Sequence, residues 1–366
     1  MQVSTGSRTQ SNWINCLFWD LTWFQSAIWI FPLFIGIFYF LGEFEFQFLI
    51  TLFFIFFRLV HTYFSAYICL AHPEYRLVSR ELNFRFYFIP FLIAGSLILF
   101  FILPSDLLPL TTQERFNLYS LIFFPLTYWH YALQHYGVIS MYRSKAGQVL
   151  SSFHFNLEKC FCHLSTTFLI TILMLKNYHD VSFGSFSIRE FFLIPALDWN
   201  LIAFCLILPM VICLTYQEIK TSIPSFPKLL YIWSVGMMAL IVTSQDLLIS
   251  WMLLDLQHFL VVFGLGGHIL SRKTVGSKRN GLIVNSAILV SVSVLLSLIY
   301  FYFNAHTADK KYGVVLKHFL DHGRNETLNL YFYGFFIATG ISHYYFDRLA
   351  FRFSDKRIGS IAKKII

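Results

Sequence analysis

Residues 51–64 read TLFFIFFRLVHTYF, an apolar run that nonetheless carries Arg58 and His61 three residues apart. Such a run suits the hydrocarbon core of a bilayer, roughly 30 Å thick, which about twenty apolar residues cross as a helix. The pattern recurs along the chain. Of 366 residues, 57% are hydrophobic, 20% aromatic and only 13% charged, and Phe alone supplies 44. An ordinary soluble domain carries about twice that charged fraction. The apolar runs are continuous rather than alternating, which disfavours a β-barrel. The fold class that follows is all-α: a polytopic integral membrane helix bundle.

Apolar runs predict about ten transmembrane helices, near 22–41, 46–70, 86–103, 116–141, 155–176, 197–216, 229–245, 247–271, 281–304 and 329–347. Loop charge orients them. Arg76, Arg80 and Arg85 follow the second run, Arg143 and Lys145 the fourth, Lys220 and Lys228 the sixth, and Arg272, Lys273, Lys278 and Arg279 the eighth. Arg348, Arg352, Lys356, Arg357, Lys363 and Lys364 follow the tenth. The odd exits are acidic or mixed, as at Glu43, Glu45, Asp106 and Asp246. By the positive-inside rule the even exits and both termini are cytoplasmic.

No repeat or linker divides the chain, so the expected organisation is a cytoplasmic segment 1–21, one helical membrane domain 22–347 and a basic cytoplasmic tail 348–366. The start lacks the basic region and small-residue cleavage site of a secretory signal, so insertion is expected through the first span, in the inner membrane if the cell is bacterial. The six cysteines form no CxxC pair, which argues against a zinc ribbon or a disulfide framework. The net charge of +8 sits in topology-setting loops and gives no nucleic-acid signal.

The thirteen histidines are unevenly placed. His179, His306, His318 and His322 fall in outer loops. The other nine, His61, His72, His130, His135, His154, His163, His258, His268 and His343, gather in the cytoplasmic half. An ionisable group within a span is costly and faces a partner, a cavity or the bundle interior, so this clustering predicts a shared site. Carboxylates accompany it: His154 and Glu158, Asp255 and His258, and His343 and Asp347 are each three or four residues apart, on one helix face. Imidazole and carboxylate together suit ligation of iron or manganese, or an outer carboxylate that orients a ligating ring. Ion pairs of Glu158 with Lys159 and Asp347 with Arg348 are the bland alternative. The candidate metal ligands are His61, His130, His154, Glu158, His163, Asp255, His258, His343 and Asp347. Convergence is expected for His61, His130, His163, His258 and His343, with Asp255 as the best carboxylate.

In YWHYALQHYG, residues 128–137, His130 and His135 are rotated about 140° apart on a helix, so one ligates and the other assists. His130 lies deeper and is the expected ligand. His135, Arg58 and Tyr131 are the candidate catalytic groups. In QHFLVVFGLGGH, residues 257–268, Gly264, Gly266 and Gly267 thin a helix either for a substrate path or for close packing.

The first functional reading is a membrane oxygenase, desaturase or hydroxylase with a mononuclear or di-iron non-haem centre. Its expected partners are a lipid or isoprenoid substrate and a cytoplasmic electron donor. In this logic the chain is similar to histidine-rich integral-membrane iron enzymes such as fatty-acid desaturases and bacterial carotene-cleaving oxygenases. The HxxHH boxes of the desaturases are absent, and no site is carried over from either. Manganese, zinc or haem are the alternative cofactors. The alternative functions are a haem electron carrier, a proton-coupled transporter or a metal-free acyltransferase. No GxxxxGK[ST], HExxH or GxSxG occurs, which argues against P-loop ATP hydrolysis, zincin proteolysis and nucleophile-elbow hydrolysis.

Overall fold

The computed structural model describes residues 12–40, 57, 61–70, 72–104, 106–168, 182–183, 186–187, 199–243, 247–271, 291, 295, 326–350 and 356–365. Most of these residues are helical, and the strands among them are a two-residue antiparallel pairing of Ser182–Phe183 with Phe186–Ser187. Arg58 and nearly all of the expected ninth span lie outside them, as does most of the outer loop 305–328.

The helices are α1 (Leu17–Thr22), α2 (Ala27–Phe40), α3 (61–70), α4 (Pro73–Glu81), α5 (Ile89–Ile102) and α6 (Thr112–Lys145). They continue with α7 (Ser152–His163), α8 (Trp199–Lys220), α9 (Phe226–Thr243), α10 (Leu247–Ser271), α11 (Glu326–Ala350) and α12 (Lys356–Ile365). A π-turn at Phe84–Phe88 leads into α5, and another at Leu164–Phe168 prolongs α7. Two helical stretches, Phe84–Ile102 and Asn200–Lys220, are long and apolar enough to cross a membrane; Ala27–Ile37, Phe226–Val242 and Leu253–Ile269 are apolar but shorter. The described residues thus carry two unaided spans where ten were expected. One reason is local: the first expected run is broken, because α1 ends at Thr22 and α2 starts at Ala27.

Local sequence explains the helix ends. Thr111 and Glu114 form a capping box at the start of α6, the Glu114 carboxylate accepting from Thr111 N at 2.8 Å while Thr111 Oγ1 accepts from Glu114 N at 3.2 Å. The same helix stops where Gly147 takes a left-handed φ of 66°. At α4, Pro73 occupies the first turn and the His72 imidazole caps it, Nδ1 accepting from Glu74 N at 3.3 Å. Arg115 serves the far end of α5: its guanidinium donates to the carbonyls of Phe100, Phe101, Leu103, Leu108 and Leu110, at the helix end and in the turn that follows.

Packing is close where the chain supplies small residues. A Cβ at Gly264 would lie 2.4 Å from Trp23 Cβ, at Gly266 2.5 Å from Phe64 Cζ, and at Gly267 2.7 Å from Trp19 Cζ2. The glycines of α10 are therefore filled by aromatic rings of α1, α3 and the turn after α1. Trp19 Nε1 also donates to Gly264 O at 3.1 Å. Around this contact α9 packs against α2, α6, α8 and α10, α5 packs against α11, and α4 against α12.

Not all of the loop charge faces solvent. Arg143 and Lys228 are buried, and both pair with Glu158: Arg143 Nη1 at 2.5 Å from Oε2 and Lys228 Nζ at 2.8 Å from Oε1. Lys228 Nζ also lies 2.6 Å from Glu218 Oε2 and donates to Gln148 Oε1 at 2.9 Å. Two cations and two carboxylates thereby tie α6, α7, α8 and α9 together in a neutral cluster. Burial of each charge is tolerated because each has a hydrogen-bonded counter-charge.

Candidate metal centre

Four helices each present one imidazole to a common point. His61 opens the described part of α3, His130 is midway along α6, His258 midway along α10, and His343 is two turns from the end of α11. All four are buried. One ring nitrogen from each lies within 4.8 Å of those from the other three. His258 Nε2 and His61 Nε2 are 3.0 Å apart. Ring centroids are 4.1 Å apart for His61 and His343, 4.5 Å for His61 and His258, 5.0 Å for His130 and His258, and 5.4 Å for His130 and His343.

Carboxylates and aromatics hold these rings. Asp347, one turn after His343, places Oδ2 3.6 Å from His343 Nε2 and 3.2 Å from His130 Nε2, while its Oδ1 accepts from the Ser65 hydroxyl on α3. Tyr131 stacks on His258 with centroids 3.8 Å apart and donates its hydroxyl to Asp255 Oδ1. Gln134 Nε2 donates to His258 O at 3.2 Å, joining α6 to α10. Tyr344 lies against His130 with centroids 4.6 Å apart, and its hydroxyl is 2.8 Å from Thr127 Oγ1.

The donor set fits a metal ion. Metal–imidazole bonds of about 2.0–2.1 Å put ligand nitrogens roughly 3.0–4.2 Å apart around one ion, the range these rings approach. Buried polar atoms are nearly always paired, yet His343 Nε2 has no hydrogen bond of good geometry, and His61 Nε2 faces the nitrogen of another histidine, His258 Nε2. Facing ring nitrogens at such separations act as acceptors for a shared cation more readily than as partners for one another.

The expected residues divide into three groups. His61, His130, His258 and His343 converge. Asp347 touches two of them, and Asp255 accepts from Tyr131, whose ring stacks on His258. His154, Glu158 and His163 are not brought to the cluster. His154 Nδ1 pairs with Ser151 Oγ at 2.7 Å at the start of α7, Glu158 belongs to the ion cluster with Arg143 and Lys228 rather than to Lys159, and His163 Nδ1 faces Thr167 Oγ1 at 3.4 Å. These three share a helix whose contact partners are α6 and α8. His135 points away from His130, as their rotation on the helix requires, and its Nδ1 lies 2.7 Å from Tyr231 OH. Arg348 turns from Asp347 and lies over the Trp129 ring at 5.3 Å.

Sequence reading missed Ser65. Its signal was available: it follows His61 by four residues and shares its helix face. Comparison of the chain with protein-family models, with curated proteins and with solved structures gave no match.

Proposed function

We propose that the chain is a multi-pass membrane enzyme whose four-histidine cluster holds a non-haem iron and which oxygenates, desaturates or hydroxylates a lipid or isoprenoid. The observation that carries this reading is the convergence of four buried ring nitrogens, from four helices, within 4.8 Å of one another. The ten apolar runs with basic even exits support the multi-pass arrangement with both termini inside. Neutral imidazoles beside a carboxylate suit iron, which when bound supplies one-electron redox chemistry and dioxygen activation.

The chain's own groups then have distinct tasks. The four imidazoles bind. Tyr131, fixed by Asp255, sets the plane of the His258 ring. His135 and Tyr231 form a buried hydrogen-bonded pair on the other face of α6, suited to holding a proton near the centre. Phe259, whose ring lies 5.0 Å from that of His61, helps to exclude water.

Ring packing argues against a haem between neighbouring histidines of the set. Two imidazoles on opposite sides of a porphyrin iron have ring centres roughly 6 Å apart with the macrocycle between them. The neighbouring pairs His61–His343, His61–His258, His130–His258 and His130–His343 have centroids 4.1–5.4 Å apart and pack edge to face, which leaves no room for a macrocycle between the two rings of any of these pairs.

The test is mass spectrometry of lipid extracts from cells expressing the wild type or a His130→Ala, His258→Ala double variant. The proposal expects a lipid or isoprenoid species that has gained oxygen or lost a pair of hydrogens, in wild-type extracts alone. Identical profiles, with both proteins present in the membrane, would contradict it.

A further inference from the structure

We infer that the lipid served by this centre carries an anionic head, a carboxylate or a phosphate, and that Arg348 binds that head at a lateral entrance between α6 and α11. The inference rests on the lipid-modifying reading above and narrows its substrate class.

The site is not enclosed equally on all sides. His61 and His258 are 2% exposed and His343 3%, whereas His130 and Asp347 reach 7%. The centre therefore comes nearest to its surroundings where α6 passes α11. On the inner side of that crossing His130 Nε2 and Asp347 Oδ2 face each other at 3.2 Å. On the outer side the next residues of the same two helices meet: Arg348 Cζ lies 5.3 Å from the centroid of the Trp129 ring, and both side chains are exposed. One layer of side chains, Trp129 with Arg348, thus covers the approach to His130.

Charge and shape select the occupant. The carboxylate next in sequence to Arg348, Asp347, is committed to His130, His343 and Ser65, and among the described residues no carboxylate pairs with the guanidinium. A guanidinium over an indole at an exposed site is weakly held, whereas its fork binds a carboxylate or phosphate through two parallel charge-assisted hydrogen bonds. An anionic head therefore replaces the indole as the partner of Arg348 and releases Trp129 from the crossing. Arg348 also stands near the end of α11, at the expected cytoplasmic border where head groups lie. Ile122, Leu126 and Trp129 are spaced by four and three residues and are all exposed, so α6 presents one apolar stripe that runs from the crossing toward the expected middle of the bilayer. A chain whose head is held by Arg348 lies along that stripe and past His130.

Tryptophan fluorescence of the full chain in phosphatidylcholine nanodiscs tests this, because bromine on a lipid chain quenches an indole it touches. Each protein is measured with and without Trp129→Phe, and the difference is the signal of Trp129. The probes are dibromostearate, dibrominated phosphatidylglycerol and dibrominated phosphatidylcholine at equal mole fraction. At least one of the two anionic probes is expected to quench the Trp129 signal several-fold more than the zwitterionic one, and which of them does so separates a carboxylate head from a phosphate. The excess is expected to vanish in Arg348→Gln and to survive in part in Arg348→Lys, which keeps the charge without the fork. Equal quenching by all three probes in the wild type, or an excess undiminished in Arg348→Gln, would overturn the inference. Quenching needs neither metal nor turnover, so its failure is distinct from a failure of the lipid-extract comparison, which tests the oxidation itself.

Discussion

Tyr131 lies flat against His258, ring centroids 3.8 Å apart, and delivers its hydroxyl to the buried carboxylate of Asp255 three residues before that histidine. One tyrosine thus ties α6 to α10 at the level of the cluster and limits rotation of a ring whose nitrogen faces the shared point. The Tyr131→Phe variant keeps the stack and loses the hydrogen bond. Its expected cost is about 1–3 kcal/mol, with metal still bound. Tyr131→Ala loses the stack as well and is expected to lower metal occupancy. Thermal unfolding in detergent, measured beside metal content, separates the two effects.

Arg115 is expected to matter for stability alone. Its guanidinium serves five carbonyls at the end of α5 and in the turn that follows, so Arg115→Met takes a donor from several buried or half-buried acceptors. A loss of about 2–4 kcal/mol is predicted. Arg115→Lys should recover only part of it, because one ammonium cannot reproduce the planar fork. A melting curve that leaves Arg115→Met equal to wild type would show that the end of α5 finds other donors.

The buried ion cluster makes a sharper claim. Lys228, 2% exposed, lies between Glu158 and Glu218, and Lys228→Met leaves Arg143 with Glu158 but takes from Glu218 the cation it pairs with. The predicted cost is about 3–5 kcal/mol. Adding Glu218→Gln to that variant removes one uncompensated charge and should restore part of the stability, which a double-mutant cycle by pulse proteolysis would detect.

A pH dependence follows from His72. Burial depresses its affinity for protons below the ordinary value of 6.5, an effect that neighbouring Glu74 only partly opposes. The unfolded chain therefore binds the proton more readily. The cap's contribution is full above about pH 6.5 and is lost as pH falls through the depressed folded value. Between pH 7 and pH 5 the wild type should lose more stability than His72→Asn, which caps the helix without titrating. Equal losses would remove His72 from the acid response.

Much of the helical chain was legible because lipid-length apolar runs are long and continuous. α9 ends at Thr243 and α10 begins at Leu247, close to where the sequence divides the seventh and eighth runs. His61, His130, His258 and His343 stood out because each is an imidazole in an otherwise apolar stretch, and such placement is costly without a purpose. His163 lies at similar expected depth but turns toward Thr167, and depth alone carries no information about rotation around the bundle. The same limit applied to the carboxylates. Asp255 and Asp347 both sit one turn from a histidine, and only tertiary packing shows that the first accepts from Tyr131 while the second lies beside two rings. Lys228 and Arg143 looked like topology charges because their partner, Glu158, lies on another helix.

The most direct test of the central claim is the metal content and optical absorption of the purified full chain, beside the His130→Ala, His258→Ala double variant. The account predicts one or more equivalents of iron per chain in the wild type, no Soret band, and loss of the metal in the variant. A wild type that remains metal-free after reconstitution with iron, manganese and zinc, or metal retained undiminished by the double variant, would contradict it.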